Sequence, residues 1–280
     1  MSILSLFLIL NLLFFLFFFL LFTSSYKINL LDFPNTRKIH LQPIPTIGGL
    51  LIYFSLFTIS FLYQFNKEIE IFIYVSSIII IIGFLDDLFE INYLIRLIFQ
   101  ILACSIIIYL GIYIKSLGDY NILNTELFKI DSLKIFGIVL TIFSILCLVN
   151  AYNFIDGIDG LASSIIIVSG FTLLFFTFFY TNFDYTNHIF LILFIYLNFL
   201  FLSFNKGIIL KYKIFYGDTG STFIGFLFGW LLIFYADSNQ SFIHPSLAIW
   251  CITLPIFDFL YVIIHRIQKK VNPFMPDNNH

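Results

Sequence analysis

Apolar residues along this chain fall into nine long runs, near residues 3–22, 47–63, 71–85, 94–114, 135–150, 161–180, 188–204, 219–236 and 245–264. Short polar stretches separate them. An α-helix needs ~20 apolar residues to cross the hydrocarbon core of a bilayer. The pattern therefore predicts an all-α fold, a polytopic transmembrane helical bundle of about nine spans, with residues 1–280 forming a single integral membrane domain. The first run is uncharged and no small-residue cleavage site follows it, so it reads as a retained span rather than a signal peptide. The run at 71–85 is short for a crossing and is expected to begin at the Lys67–Glu70 turn or to end inside the protein.

Composition narrows the class. Hydrophobic residues make up 60% of the chain and charged residues 11%, against ~25% charged in a typical soluble domain. A soluble fold of this size could not hide so much apolar surface, and a disordered chain would need the opposite balance. The net charge of −2 leaves no nucleic-acid footprint. The 40 phenylalanines accompany abundant Ile and a bias to Lys over Arg, and Phe, Ile, Lys, Asn and Tyr all have AT-rich codons, so the phenylalanines are not read as an aromatic binding surface. Cys104, Cys147 and Cys251 lie in apolar runs as small buried hydrophobes, with no CxxC metal pair.

Charge also sets an orientation. When the connections are taken alternately, one set holds Lys27, Arg37, Lys38, Arg96, Lys206, Lys211, Lys213, Arg266, Lys269 and Lys270, and the other only Lys67, Lys115, Lys129 and Lys134. The positive-inside rule assigns the first set to the cytoplasm and the amino terminus to the outside. Nearly everything chemically specific lies in the inner set, which predicts one cytoplasmic site built from five segments. The outer-side histidines His188 and His244 carry no assigned role.

Asp86 and Asp87 end an apolar run in GFLDDLFE. Carboxylates at the edge of hydrocarbon are expensive and functional by default, and two adjacent ones need a cation or a base role. A solvated helix end is the plain alternative. With Glu90 they also fit a DDxxD-like pattern of intramembrane prenyltransferases. Asn150, Asn153, Asp156 and Asp159 recur every three residues in NAYNFIDGIDGLA, roughly along one side of a helix end. Gly157 and Gly160 permit tight turns there. Such a series suits a wet cavity better than lipid, though a helix terminus with Asx turns would look similar. In FYGDTGST, Asp218 opens a further run. Backbone N–H groups at a helix start can hold an anion and Asp218 a hard cation such as Mg²⁺, while a plain N-cap explains the same residues. In DFPNTRKIHLQPIPTIGG, Arg37, Lys38 and His40 suit a phosphate or merely anchor the chain; the prolines and Gly48-Gly49 favour a shaped loop. The run His265-Arg266-Ile-Gln-Lys269-Lys270 reads as an anchor, and Asp258, inside the last span, is an intramembrane acid.

Together these five segments, closing with PFMPDNNH, resemble the polyprenyl-phosphate N-acetylhexosamine-1-phosphate transferases, glycosyltransferase family 4. The resemblance runs through the whole chain in order. It implies transfer of a sugar 1-phosphate from a UDP-N-acetylhexosamine to undecaprenyl or another polyprenyl phosphate. UMP is released, and the lipid-linked product begins cell-envelope polysaccharide synthesis. The opening PN and RK and the closing PDxxH look like the branch that uses UDP-N-acetylglucosamine or related sugars. The resemblance also implies Mg²⁺, with Mn²⁺ as a substitute, a multi-pass place in the bacterial inner membrane with the site facing the cytoplasm, and room for a homodimer.

Site roles follow from the same resemblance. Asp218 is the expected Mg²⁺ ligand, with Asp156 also in the metal set. Asp86 or Asp87 lies near the acceptor phosphate as base or second metal contact. Asn153, Asp156 and Asp159 line the nucleotide-sugar site, Lys38 with Arg37 and His40 meets the nucleotide, and Phe215 stacks on uracil. His280 matches the first histidine of the PDxxH close. The family's following His-x-His-His motif and one or two closing spans are expected beyond it, and a protein ending at His280 is expected to be weak or inactive. Three rivals remain: the prenyltransferase, an ion-coupled transporter with mid-span acids, and an inactive paralogue that binds the lipid carrier.

Overall fold

The computed structural model describes residues 3–34, 41–115, 134–156, 160–180, 185–205, 212–236 and 244–270. Within them the chain is helical almost throughout: α1 (Ile3–Ile28), α2 (Gly48–Leu62), α3 (Lys67–Phe89), α4 (Tyr93–Tyr109), α5 (Lys134–Ile155), α6 (Leu161–Tyr180), α7 (Tyr185–Asn205), α8 (Gly217–Tyr235), α9 (Pro245–Cys251) and α10 (Thr253–Gln268). The exception to an all-α fold is a two-stranded ribbon, β1 (Leu31–Asp32) antiparallel to β2 (Ile44–Pro45), with Leu31 opposite Pro45 and Asp32 opposite Ile44.

Each apolar run has become helix, but the count of nine crossings does not carry over unchanged. Five helices, α1, α3, α5, α6 and α8, are long and apolar enough to cross a membrane, or six if the bent pair α9–α10 is one span. The apolar helices of α2, α4 and α7 are shorter. The ninth run is broken by 71° between Cys251 and Thr253. Pro255 lies in the first turn of α10, where its missing N–H costs nothing; inside a continuous helix it would break the ladder. The short run at 71–85 gains length at both ends. Glu68 and Glu70 occupy the first turn of α3, the favourable end for acids, and Asp86 and Asp87 stay helical in its last turns.

The bundle is layered around α8. Of the apolar window of α8, 89% is buried, against 28% for α1. In α1 the buried stripe Leu6, Leu10, Phe14, Phe18 recurs every four residues, while Leu4, Leu8, Leu12, Leu16 and Leu20 face outward. This is the pattern of a helix with one side on protein and the other on lipid. α8 has no such outward side: α2, α3, α5 and α9 pack around it. Close approach is what allows this. A Cβ at Gly225 would lie 2.5 Å from Val149 Cα of α5, and small residues at such crossings bring membrane helices together. Gly225→Ala is expected to lower stability by about 1–3 kcal/mol through overpacking against backbone. Thermal unfolding in detergent would check this, with an unchanged midpoint counting against it. Cys104 and Cys251 are buried free thiols and Cys147 is half-buried.

Candidate active site

The polar ends of α2, α3, α4, α5 and α8 converge at one end of the bundle. A three-residue turn joins α3 to α4. Glu90 closes α3 in the left-handed conformation, φ 50°, and the Asn92 side chain caps α4 by accepting from Leu94 N at 3.0 Å. That hairpin brings the last turns of α3 against the first turn of α4. Asp86, buried, accepts from Ile91 N at 2.8 Å and forms a salt bridge with Arg96. Arg96 also stands 3.6 Å from Asp218 Oδ2. Arg96 is the residue that the sequence reading missed. The nearest signal was a cation ten residues after a helix-end acid across a short turn, which brings the two near each other without saying which acid it meets.

Asp87 makes a different set of contacts. Its Oδ1 accepts from Asp218 N at 2.8 Å, and its Oδ2 accepts from Thr219 N at 3.1 Å and Thr219 Oγ1 at 2.5 Å. The N-terminus of α8, expected to hold a substrate anion or to cap itself, is thus held by a carboxylate from α3, and its own cap residue, Tyr216, makes no side-chain cap. Gly217 makes this fit possible. Its φ is +73°, and a Cβ there would lie 2.5 Å from Asp87 Oδ2.

Asp218 projects from this junction with 41% of its side chain exposed. Asn153, on the last turns of α5, donates from Nδ2 to Asp218 Oδ1 at 2.5 Å and to Ser221 Oγ at 2.9 Å. Thr222 Oγ1 donates to the Asp218 carbonyl at 2.6 Å. The polar series on α5 does not act as one face. Asn150 donates back to Leu146 O of its own helix at 2.7 Å, because a three-residue step turns about 60° short of a full circuit. Asp156 lies just past the end of α5, half-buried, close enough for its charge to act on the Tyr216 phenol. Burial pushes that phenol well above its usual range, so it remains a neutral donor, giving its proton to Asn198 Oδ1 at 2.8 Å.

The first inner loop is tied to the same place. Phe215 N donates to Pro45 O at 2.8 Å, Gly48 N to Phe215 O at 2.8 Å and Gly49 N to Tyr216 O at 3.1 Å. The half-buried Phe215 ring has the Lys213 ammonium 5.5 Å from its centroid. Arg37, Lys38, His40, Asp159 and His280 lie outside the described residues. One basic residue read as an anchor is not one: Arg266 is buried, with its guanidinium 5.2 Å from the centre of the Phe154 ring on α5. Lys269 and Lys270 remain exposed. Asp258 is half-buried on α10 and Glu90 is exposed at the α3 terminus.

Asp218 Oδ2 has the Arg96 guanidinium at 3.6 Å, its carboxylate also lies within reach of Asp86, and its side chain stays 41% exposed. Hard oxygen donors of this kind suit Mg²⁺, which takes one or two carboxylates and completes its shell with substrate phosphate and water. Among the described residues, no group of three or more His, Cys, Asp or Glu is arranged to hold a metal without such help.

A half-exposed carboxylate where five helix ends meet defines a polar site at one end of an apolar helix bundle, and sequence comparison assigns the class. The family model of glycosyl transferase family 4 matches residues 69–236, which run from the first turn of α3 through α8 and hold Asp86, Asp87, Arg96, Asn153 and Asp218. The chain belongs to that family. It is 33% identical over 261 residues to the undecaprenyl-phosphate alpha-N-acetylglucosaminyl 1-phosphate transferase of Escherichia coli K12, covering 91% of this chain and 68% of the relative. The Haemophilus influenzae protein of the same name is 33% identical over 259 residues, 90% of this chain and 70% of its own. That of Salmonella typhimurium is 31% identical over 271 residues, 94% and 71% respectively.

Proposed function

We propose that this protein transfers a sugar 1-phosphate, N-acetylglucosamine 1-phosphate in particular, from a UDP-N-acetylhexosamine to undecaprenyl phosphate, releasing UMP. The observation that carries the reading is the junction of Asp87, Asn153 and Asp218, which unites three separate sequence motifs around one exposed carboxylate within the matched family segment. Asp218, with Asp156 as the second expected ligand, would hold Mg²⁺. The ion would neutralise the donor diphosphate as charge moves onto the leaving UMP.

The chain's own groups do the positioning. Asp87 fixes the backbone from which Asp218 projects, and Asn153 orients the Asp218 carboxylate through one amide hydrogen. Asp86 stands at the acceptor side. Lys38, Arg37, His40, Asp159 and His280 are proposed substrate contacts, and Phe215 a stacking platform for uracil. Nine crossings, an outside amino terminus and a site facing the cytoplasm complete the reading, and a homodimer is compatible with it. The clustering of Asp86, Asp87, Asp156 and Asp218 at one end of the bundle supports it over a transporter, which would be expected to carry its acids near mid-span. The prenyltransferase reading gains nothing from Glu90, which is exposed at the end of α3.

Membranes of a host expressing the gene, given labelled UDP-N-acetylglucosamine, undecaprenyl phosphate and Mg²⁺, should release UMP and label a lipid. Failure across a panel of UDP-N-acetylhexosamines would refute the reading. Phe215→Ala should raise KM for the donor about ten-fold with little change in kcat, since base stacking on an aromatic ring contributes ~1–3 kcal/mol per base. An unchanged KM would remove the platform.

A further inference from the structure

Arg96 has no part in the reaction as set out above, yet its placement is costly. It lies in the first turn of α4, where the helix dipole disfavours a cation. Two carboxylates offset that cost: the buried Asp86, which binds the guanidinium directly, and the half-exposed Asp218, 3.6 Å from it. Asp86 is itself fixed by Ile91 N at 2.8 Å. Asp87 does not need a cation, since three donors from α8 satisfy it.

We infer that Arg96 is the resident counter-cation of the site, anchored by Asp86 and competing with the divalent metal for Asp218. Before substrate arrives, its guanidinium partly neutralises Asp218, the same carboxylate that the metal needs. Asp86 keeps Arg96 in place whether or not Asp218 is otherwise engaged. Asp86 is then a positioning residue acting through Arg96, and metal binding is weakened in the absence of substrate. The inference rests on the reading of Asp218 as the metal ligand, and the test separates the two.

The test is Mn²⁺ binding to the detergent-solubilised protein without nucleotide or lipid, followed by the paramagnetic resonance of free Mn²⁺. Arg96→Gln should bind Mn²⁺ more tightly, roughly five-fold, the scale of a partly screened ion pair. Arg96→Lys, which keeps the charge, should stay within about two-fold of wild type. Arg96→Met, similar in length, replaces Arg96→Gln if the latter does not fold. Equal or weaker binding by the neutral variants, with wild type binding and Asp218→Asn not binding, overturns the inference and leaves the metal assignment standing. If Asp218→Asn binds as wild type does, or neither wild type nor the neutral variants bind, the metal assignment falls and the inference with it.

Discussion

Asp218→Asn is expected to abolish transfer, lowering turnover by about 10³-fold or more, the scale on which a single charge-stabilising group acts at a reacting centre. The substitution keeps size and removes one negative charge. Asp218 Oδ1 has the Asn153 amide as donor and Oδ2 faces Arg96, so the neutral amide can keep the Asn153 hydrogen bond through its oxygen but loses the charge attraction to Arg96 and the capacity to bind a hard cation. Stability should change little, because this side chain is half exposed. Single-turnover kinetics with labelled donor would measure the loss, and full activity in the variant would remove the assignment of Asp218.

Asp87→Ala should fail for another reason. It leaves three donors at the start of α8 without an acceptor, two of them backbone N–H groups and one the buried Thr219 hydroxyl. Hydrogen bonds to a charged acceptor contribute ~1.5–3 kcal/mol each, and buried donors left unsatisfied carry their desolvation cost. A loss of about 3 kcal/mol, seen as a lower unfolding midpoint, is expected together with roughly 10²-fold lower turnover. The activity loss follows from displacement of the Asp218 backbone, since small misplacements of catalytic groups cost that much. Asp87→Asn keeps an acceptor oxygen and should recover part of the stability. If Asp87→Ala unfolds at the wild-type temperature, Asp87 does not hold α8.

The contrast between these two aspartates shows what the sequence could tell. The apolar runs located the described helices, except that the ninth run divides into α9 and α10, because apolar runs in a membrane chain have few other fates. The motif aspartates were also legible as exceptional, since acids beside hydrocarbon need a partner. Their division of labour was not legible. Asp86 and Asp87 are neighbours in sequence, but successive residues on a helix point about 100° apart, so one meets α4 and the other α8. Only the packing of α3 against both helices decides this. Asn150 was grouped with Asn153 by spacing, yet its amide returns to its own backbone, a local alternative that always competes. Arg266 was read as an anchor together with Lys269 and Lys270, and Arg96 only counted with the inner cations, because the positive-inside rule treats all cations alike; the burial of Arg266 and the Asp86 contact of Arg96 set them apart. The break at Ile252 depended on how an apolar run with a proline in it would be accommodated, which hydropathy does not record.

The central claim is phosphoryl transfer with the sugar attached, and the position of one label tests it most directly. With UDP-N-acetylglucosamine labelled at the phosphorus next to the sugar, the account predicts that the label moves to the lipid while unlabelled UMP is released in equal amount. Release of labelled UDP, or label retained in the nucleotide while sugar reaches the lipid, would contradict it.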